Sequence, residues 1–220
     1  MKNIIFIAPP AAGKGTQAKL ISDKYNIPHI STGELLREEI NKGTKLGREI
    51  NEVIVSGKLV SDELVLNLLK EKILDSSCKN GYILDGYPRS LNQALAYEKL
   101  LKELHKDLGV VIFLDIDKDL ALKRTLGRVV CDKCGRSYNE LIPSAFPKKK
   151  GYCDYCNTKL SKRSDDNEES FVKRFDTYMN TTKEVIDYYK NKNVLYNIKI
   201  TPEGTPESDF ERIREILEND

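Results

Sequence analysis

The N-terminal segment constrains the fold most, because a short apolar run breaks abruptly into a loop of small residues that carries one lysine. Residues 2–7 have the composition of a buried β-strand, and residues 8–16 follow with the sequence APPAAGKGT. Backbone N–H groups of such a loop, and of the helix that it opens, converge on anionic oxygens. Lys14 adds a positive charge that can reach terminal phosphates. The pattern predicts a strand, a phosphate-binding turn and a helix.

The loop departs from the general pattern GxxxxGK[ST] at two positions, since Ala8 replaces the first glycine and Gly15 follows the lysine. Ala8 fits only if its φ angle is negative, because a Cβ in the left-handed region costs roughly 1 kcal/mol. With no hydroxyl directly after Lys14, Thr16 is left to contact a phosphate, and magnesium has to be held elsewhere. The alternative for this segment alone is an ordinary strand-to-helix turn rich in small residues.

Length and charge limit the remaining possibilities. The chain has 220 residues, which suits one domain with insertions or two small domains. Its 36 basic and 34 acidic residues leave a formal charge of +2, too small a bias to indicate nucleic acid or a membrane as the main partner. The first apolar run lacks a signal-peptide cleavage site, and no segment approaches the roughly 18 apolar residues of a membrane span. We therefore expect a cytoplasmic protein, and we expect a monomer.

Four of the five cysteines form two CxxC pairs, Cys131 with Cys134 and Cys153 with Cys156, separated by 18 residues. This spacing is typical of four-cysteine zinc sites. Glycine or asparagine follows each pair and permits the turn that points backbone amides at sulfur. Disulfides are the alternative, but a cytosolic chain keeps its thiols reduced. The fifth cysteine, Cys78, is expected to be an idle thiol.

Apolar strands alternate with amphipathic helices towards both ends of the chain. Such alternation predicts an α/β fold with a parallel five-stranded sheet flanked by helices, with ligands at the carboxyl ends of the strands. Strands are predicted at residues 2–7, 28–30, 82–84, 110–114 and 194–198. Helices are predicted at residues 15–25, 61–76, 91–104, 119–126, 168–190 and 206–217.

Two segments interrupt the single core predicted for residues 1–220. Residues 31–60 have the pattern of small helices separated by glycines, and we expect them to form a mobile flap. Residues 127–166 contain the cysteine pairs and have almost no helical periodicity. We expect a zinc-stapled hairpin there, because a metal supplies folding energy that so small a core cannot.

Several short motifs follow one another along the whole chain. They are the loop at 8–17, STGELLR (31–37), GKLVSD (57–62), DGYPR (85–89), GR (127–128) and RSDD (163–166), followed by Arg174. In this order they resemble the motifs of the adenylate kinases, and the four cysteines in the second insertion are similar to the bacterial long-lid form with a zinc-binding lid. The fold implied is that of a P-loop nucleoside monophosphate kinase, with the flap binding the monophosphate.

The resemblance implies reversible transfer of the γ-phosphoryl group of MgATP to AMP, giving two ADP. The attacking AMP phosphate oxygen is already anionic at pH 7, so no general base is required. Catalysis then depends on positioning and charge neutralisation, for which planar guanidinium groups suit phosphate oxygens. The implied catalytic residues are Lys14, Arg89, Arg128, Arg163 and Arg174.

The resemblance also assigns binding roles to residues of this sequence. ATP is expected to contact Ala11, Ala12, Gly13, Lys14, Gly15, Thr16, Arg124, Arg128, Ser137 and Tyr138. AMP is expected to contact Thr32, Arg37, Leu59, Val60, Gly86, Arg89, Gln93, Arg163 and Arg174, with the Gln93 amide on the adenine edge. Asp85 is the expected anchor for Mg2+ through water, Asp165 and Asp166 are expected to tether the closed lid, and Zn2+ is expected on Cys131, Cys134, Cys153 and Cys156.

Other functions remain open on the residues alone. A zinc-ribbon nucleic-acid module would explain the cysteines but not the phosphate loop or the arginines. A GTPase-like switch would share the loop, but no guanine-reading NKxD motif is present. Another nucleoside monophosphate kinase is the nearest alternative. His29 and His105 show no ligand spacing and are left out of the mechanism.

Overall fold

A computed structural model describes residues 2–55, 60–163 and 165–219. Five strands form one sheet in which every neighbouring pair is parallel, in the order β2-β3-β1-β4-β7. Two short strands, β5 and β6, pair antiparallel apart from it. The predicted parallel five-stranded sheet is confirmed. The strands are β1 (Ile4–Ile7), β2 (His29–Ser31), β3 (Ile83–Asp85), β4 (Val110–Ile116), β5 (Arg128–Val130), β6 (Ser137–Asn139) and β7 (Leu195–Ile200).

Helices connect these strands and cover the sheet. Side chains at the predicted helix starts cap free N–H groups, as Ser61 Oγ does for Leu64 and Asn167 Oδ1 does for Ser170. Each core helix and strand predicted from sequence ends within two residues of its observed position. The helices are α1 (Lys14–Tyr25), α2 (Thr32–Asn41), α3 (Lys45–Val55), α4 (Asp62–Leu74), α5 (Leu91–Glu103), α6 (Lys118–Leu126), α7 (Glu168–Asn191) and α8 (Pro206–Asn219), with 3-10 turns at Ser76–Cys78 and Pro143–Ala145.

The core lies on both faces of the sheet. In β1, Ile4 and Phe6 point into one apolar cluster, whereas Ile5 and Ile7 point into the other. All four are at most 2% exposed. A central parallel strand is apolar at every position because helices cover both of its faces, which explains the uninterrupted apolar run at the start of the sequence.

Strand order determines where the loops meet. The chain extends the sheet from β1 through β3 and β2 on one side and through β4 and β7 on the other. Phe6 in β1 pairs with Asp85, the last residue of β3. The loop after β1 and the segment after β3 therefore leave the sheet side by side, at the point where ligands bind in open parallel sheets.

The two predicted insertions have different relations to the core. Helices α2 and α3 pack on each other within the first, whose residues 56–59 lie outside the described residues. The second holds the β5–β6 pair, but Ile142 within it is buried in the main core cluster. The boundaries 31–60 and 127–166 remain predictions. None of the helices in the described ranges combines the length and apolar character that a bilayer span requires.

Candidate active site

The loop after β1 folds back over its own strand and opens α1 at Lys14. The ammonium of Lys14 donates a hydrogen bond to the carbonyl of Ala8, 3.1 Å away. Positive φ angles fall at Ala11 (+60°) and Gly13 (+101°), and Ala8 is not among the described residues with a positive φ. Ala8 is thus compatible with the turn, while Ala11 adopts the conformation that disfavours a Cβ.

Lys14 is the centre of a cluster of cations. Burial lowers the pKa of Lys14, Asp85 raises it, and the charges of Arg89, Arg128 and Arg174 lower it further. One carboxylate and three guanidinium groups therefore act on the charge of Lys14. The structure thus brings together residues that are distant in sequence and that the resemblance assigned to phosphate binding.

Asp85 ends β3 beneath this cluster, and only 15% of its side chain is exposed. Burial raises its pKa, but the imidazole of His29 and the charges of Lys14 and Arg89 outweigh burial, so the pKa lies below its ordinary value. His29 Nε2 lies 3.4 Å from Asp85 Oδ2. Spacing along the chain gave no reason to expect this contact, because the pairing of β2 with β3 creates it.

The turn after β3 joins three of the predicted AMP residues. The side chains of Thr32 and Arg89 both donate to the carbonyl of Gly86, at 3.1 and 2.8 Å. Gly86 has a φ of +82°, and a Cβ on it would lie 2.9 Å from Thr32 Oγ1 and 3.1 Å from Arg89 Nη2. A side chain at Gly86 would therefore disturb both groups.

Gln93 is held at both ends of its amide. Its Oε1 accepts a hydrogen bond from the backbone N–H of Arg89 at 2.7 Å, and its Nε2 donates to Asp62 at 2.6 Å. Sequence reasoning missed Asp62, since nothing local indicates its approach to α5. Val60, two residues before Asp62, is half-buried. Leu59, also predicted to contact AMP, lies outside the described residues.

Asp165 and Asp166 form ion pairs with two of the predicted catalytic arginines, Arg128 and Arg174. Two nitrogens of Arg128 donate to the two oxygens of Asp166, whose side chain is 2% exposed. Arg174 donates to Asp165 at 2.8 Å. Loss of water around Arg163 lowers its pKa, and the charges of Arg128 and Arg37 lower it further.

Arg124 and Tyr138, both predicted to contact ATP, lie in two different places. A Cβ on Gly13 would lie 3.9 Å from Arg124 Nη1, so Arg124 covers the phosphate loop. The hydroxyl of Tyr138 lies 3.4 Å from Cys153 Sγ and accepts a hydrogen bond from the Asp154 N–H. Ser137 is exposed next to it. Contact of Ser137 and Tyr138 with ATP remains a prediction.

The four paired cysteines form one cluster. Their Sγ atoms all lie within 4.8 Å of one another, and Cys134 and Cys153 are 3.7 Å apart. Tetrahedral zinc with Zn–S bonds of about 2.3 Å places its sulfurs about 3.8 Å apart, whereas a disulfide requires about 2.05 Å. Gly135 and Asn157 take positive φ angles and donate their N–H groups to Cys131 and Cys153 carbonyls. The donor set and its spacing fit a structural zinc ion.

The chain is similar to known proteins over most of its length. A family model described as adenylate kinase matches residues 6–194. The chain is 44% identical to the adenylate kinase of Clostridium tetani over 217 residues, 98% of each chain. It is 46% identical to that of Fervidobacterium nodosum over 197 residues, 89% of each chain, and 43% identical to that of Archaeoglobus fulgidus over 218 residues, 98% of each. Similarity at this level over almost the whole chain means that this protein belongs to the adenylate kinase family.

Proposed function

We propose that this protein transfers the γ-phosphoryl group of MgATP to AMP, reversibly, giving two ADP. The observation that carries the proposal is the position of Lys14 and Arg89 after the neighbouring strands β1 and β3, with the charges of Arg128 and Arg174 also acting on Lys14. Clustered cations repel one another, and burial penalises the charged form of Lys14. Anionic phosphates relieve both costs, so the cluster suits a polyphosphate substrate.

The chemistry needs positioning and charge neutralisation rather than a base. The acceptor oxygen of AMP is anionic at neutral pH, and a loose phosphoryl-transfer transition state spreads charge over the equatorial oxygens. Lys14 and the loop amides would hold the ATP phosphates, while Arg89 would hold the AMP phosphate. Arg128, Arg163 and Arg174 would then contact the transferred group from the lid and from α7.

The contacts among these arginines support a closing lid. Asp166 forms an ion pair with Arg128 and also lies 3.6 Å from Arg174 Nη2. Its negative charge therefore reduces the repulsion between these two arginines. The charge of Arg37, on the first insertion, lowers the pKa of Arg163, on the second. Closure of both insertions would exclude water, which otherwise accepts the phosphoryl group.

Two metals have fitting residues. Asp85, with its lowered pKa, is an ionised carboxylate beside the phosphate loop, and it would hold Mg2+ through water. Bound Mg2+ supplies further neutralisation of the phosphate charge. Four thiolates at Cys131, Cys134, Cys153 and Cys156 fill a tetrahedral shell, which leaves no open position for substrate. The zinc is therefore assigned to lid structure.

A cytoplasmic monomer is the proposed state of the protein. All five cysteines are free, which is the state that the cytosol maintains. Sedimentation at micromolar concentration tests the monomer, and a stable dimer would contradict it. The absence of nucleic-acid and membrane partners remains a prediction from the small net charge.

The test of the activity is ATP-dependent phosphorylation of a panel of AMP, GMP, CMP and UMP. We expect a strong preference for AMP, and we expect Lys14→Met to abolish most activity. Lys24→Gln, an exposed lysine on the same helix, is the matched control and should be inert. Equal kcat/KM with CMP or UMP would favour a different monophosphate kinase.

A further inference from the structure

The side-chain amide of Gln93 lies between a pure donor and a pure acceptor. The backbone N–H of Arg89 can only donate, and it meets Gln93 Oε1 at 2.7 Å. The carboxylate of Asp62 accepts, and it meets Gln93 Nε2 at 2.6 Å. Rotating the amide by half a turn would place donor against donor and acceptor against acceptor. These two partners therefore fix its orientation.

The backbone of Gln93 is held as well. Its N–H donates to Ser90 Oγ at 3.3 Å, which caps α5, and its carbonyl accepts a hydrogen bond from the Tyr87 hydroxyl at 3.2 Å. Tyr87 is 1% exposed, so the hydroxyl comes from a buried, packed ring. The position and the orientation of the amide are thus both determined before a substrate arrives.

A fixed amide presents one remaining N–H and one remaining oxygen lone pair in a fixed order. The edge of adenine that carries N1 and N6 has an acceptor at N1 and a donor at N6, which such an amide can satisfy together. Hypoxanthine and guanine reverse both groups, with N1–H and O6. A freely rotating glutamine would turn over and pair with either kind of base, whereas a fixed one pairs with adenine alone.

We propose that Asp62 is a positioning residue that determines acceptor specificity, by preventing Gln93 from turning over to accept 6-oxopurine monophosphates. The proposal rests on the proposed function, in which Gln93 contacts the AMP base. Asp62 follows the Ser61 cap in the first turn of α4, where any acidic residue favours the helix dipole. Glu63 shares that turn and is exposed. Substitution of Glu63 therefore measures the effect of losing a negative charge at the helix start, separately from the loss of the Asp62 contact with Gln93.

The test compares Asp62→Asn and Asp62→Ala with Glu63→Gln, using AMP and inosine monophosphate as acceptors. Asparagine keeps the shape of Asp62 but can donate or accept, so it no longer opposes the turned-over amide at that end, and only the Arg89 N–H still does. We expect the ratio of kcat/KM for AMP to that for inosine monophosphate to fall about five- to tenfold in both Asp62 variants, the range of one hydrogen bond. The KM for ATP and the melting temperature should match those of Glu63→Gln.

Gln93→Ala separates the possible failures. If Gln93→Ala and both Asp62 variants lower the ratio, and Asp62→Asn has no further effect in the Gln93→Ala background, the proposal holds. If Gln93→Ala lowers the ratio and the Asp62 variants leave it unchanged, Asp62 has no such role although the base site stands. If Gln93→Ala leaves the ratio unchanged, the base site itself is wrongly placed. A uniform loss for both acceptors with a lower melting temperature would assign Asp62 to helix stability and overturn the proposal.

Discussion

Gly127 packs so closely against Asn139 that a Cβ on Gly127 would overlap Asn139 Oδ1. The same oxygen accepts hydrogen bonds from the N–H groups of Leu141 and Ile142, at 2.8 and 3.1 Å. Asn139 Nδ2 donates to the carbonyl of Arg124 at 2.7 Å. One side chain thus joins the end of α6 to the point where the second insertion returns to the core.

Gly127→Ala should therefore destabilise the protein, because the new methyl group displaces Asn139 from three hydrogen bonds. Overpacking of this kind costs about 1 to 3 kcal/mol. Thermal unfolding measures it, with Gly15→Ala as control, since a Cβ at Gly15 meets no atom within 4 Å. An unchanged melting temperature for Gly127→Ala would show that the Asn139 contacts carry little stability.

Ala11→Gly should stabilise the protein, since Ala11 has a φ of +60°. Relief of the left-handed penalty is worth about 1 kcal/mol, partly offset by the greater freedom of glycine in the unfolded chain. Ala8→Gly is the matched control, and it should destabilise because it adds only that freedom. If both substitutions lowered the midpoint of urea unfolding equally, Ala11 would not be strained.

Loss of the cysteine cluster should weaken the lid while sparing the chemistry. Cys131→Ser removes one of four thiolates, so we expect zinc content to fall from about one per chain and the melting temperature to drop. Activity should remain measurable well below that temperature. Cys78→Ser is the control, because Cys78 lies in the core beside Lys72 and outside the cluster. A folded, zinc-free and inactive enzyme would refute a structural role.

Sequence predicts the fold well here because β1 is apolar at every position, the other core strands carry apolar residues that enter the core, and the helices α4, α5, α6 and α7 each begin at a side-chain cap. Lys14 and Arg89 could be proposed as phosphate-site residues from sequence because each lies in the segment that follows a predicted strand. The approach of His29 to Asp85 and of Asp62 to Gln93 was not predictable. Both depend on which strands and helices become neighbours, and this information is spread over the whole chain.

The position of backbone strain in the loop after β1 could not be predicted from the sequence pattern either. The motif drew attention to Ala8, where a glycine is replaced, but the structure places the positive φ at Ala11. Turn geometry depends on the hydrogen bond from Lys14 to the Ala8 carbonyl and on the direction in which α1 leaves the sheet. Neither can be inferred from residue types alone.

The stability of Asp209→Asn relative to the wild type should be greater at neutral pH than at acid pH. Burial raises the pKa of Asp209, although Arg124 and Arg212 lower it. Because its pKa is raised, the protonated Asp209 carboxyl contributes to folding stability at pH values below the ordinary aspartate pKa of 3.8. This contribution is lost as the pH rises through the pKa of the folded state. The difference in melting temperature between Asp209→Asn and wild type should therefore increase from pH 3.5 to pH 7.

The exposed Asp187 on α7 provides the control for this pH series. Asp187→Asn should show a smaller change over the same range. A difference for Asp209→Asn that stays constant with pH would mean that Asp209 titrates alike in the folded and unfolded chains.

The return of the second insertion to the core at Ile142 divides it into two loops, each carrying one cysteine pair. Cys131 and Cys134 lie before this anchor, and Cys153 and Cys156 lie after it. Bringing two chain segments together costs loop-closure entropy, which grows with the length of free chain between them. Once Ile142 is buried, folding of the core has already supplied part of the loop-closure entropy needed to bring the two cysteine pairs together. Zinc affinity is thereby linked to folding of the sheet, and a chain with an unfolded core binds the metal more weakly.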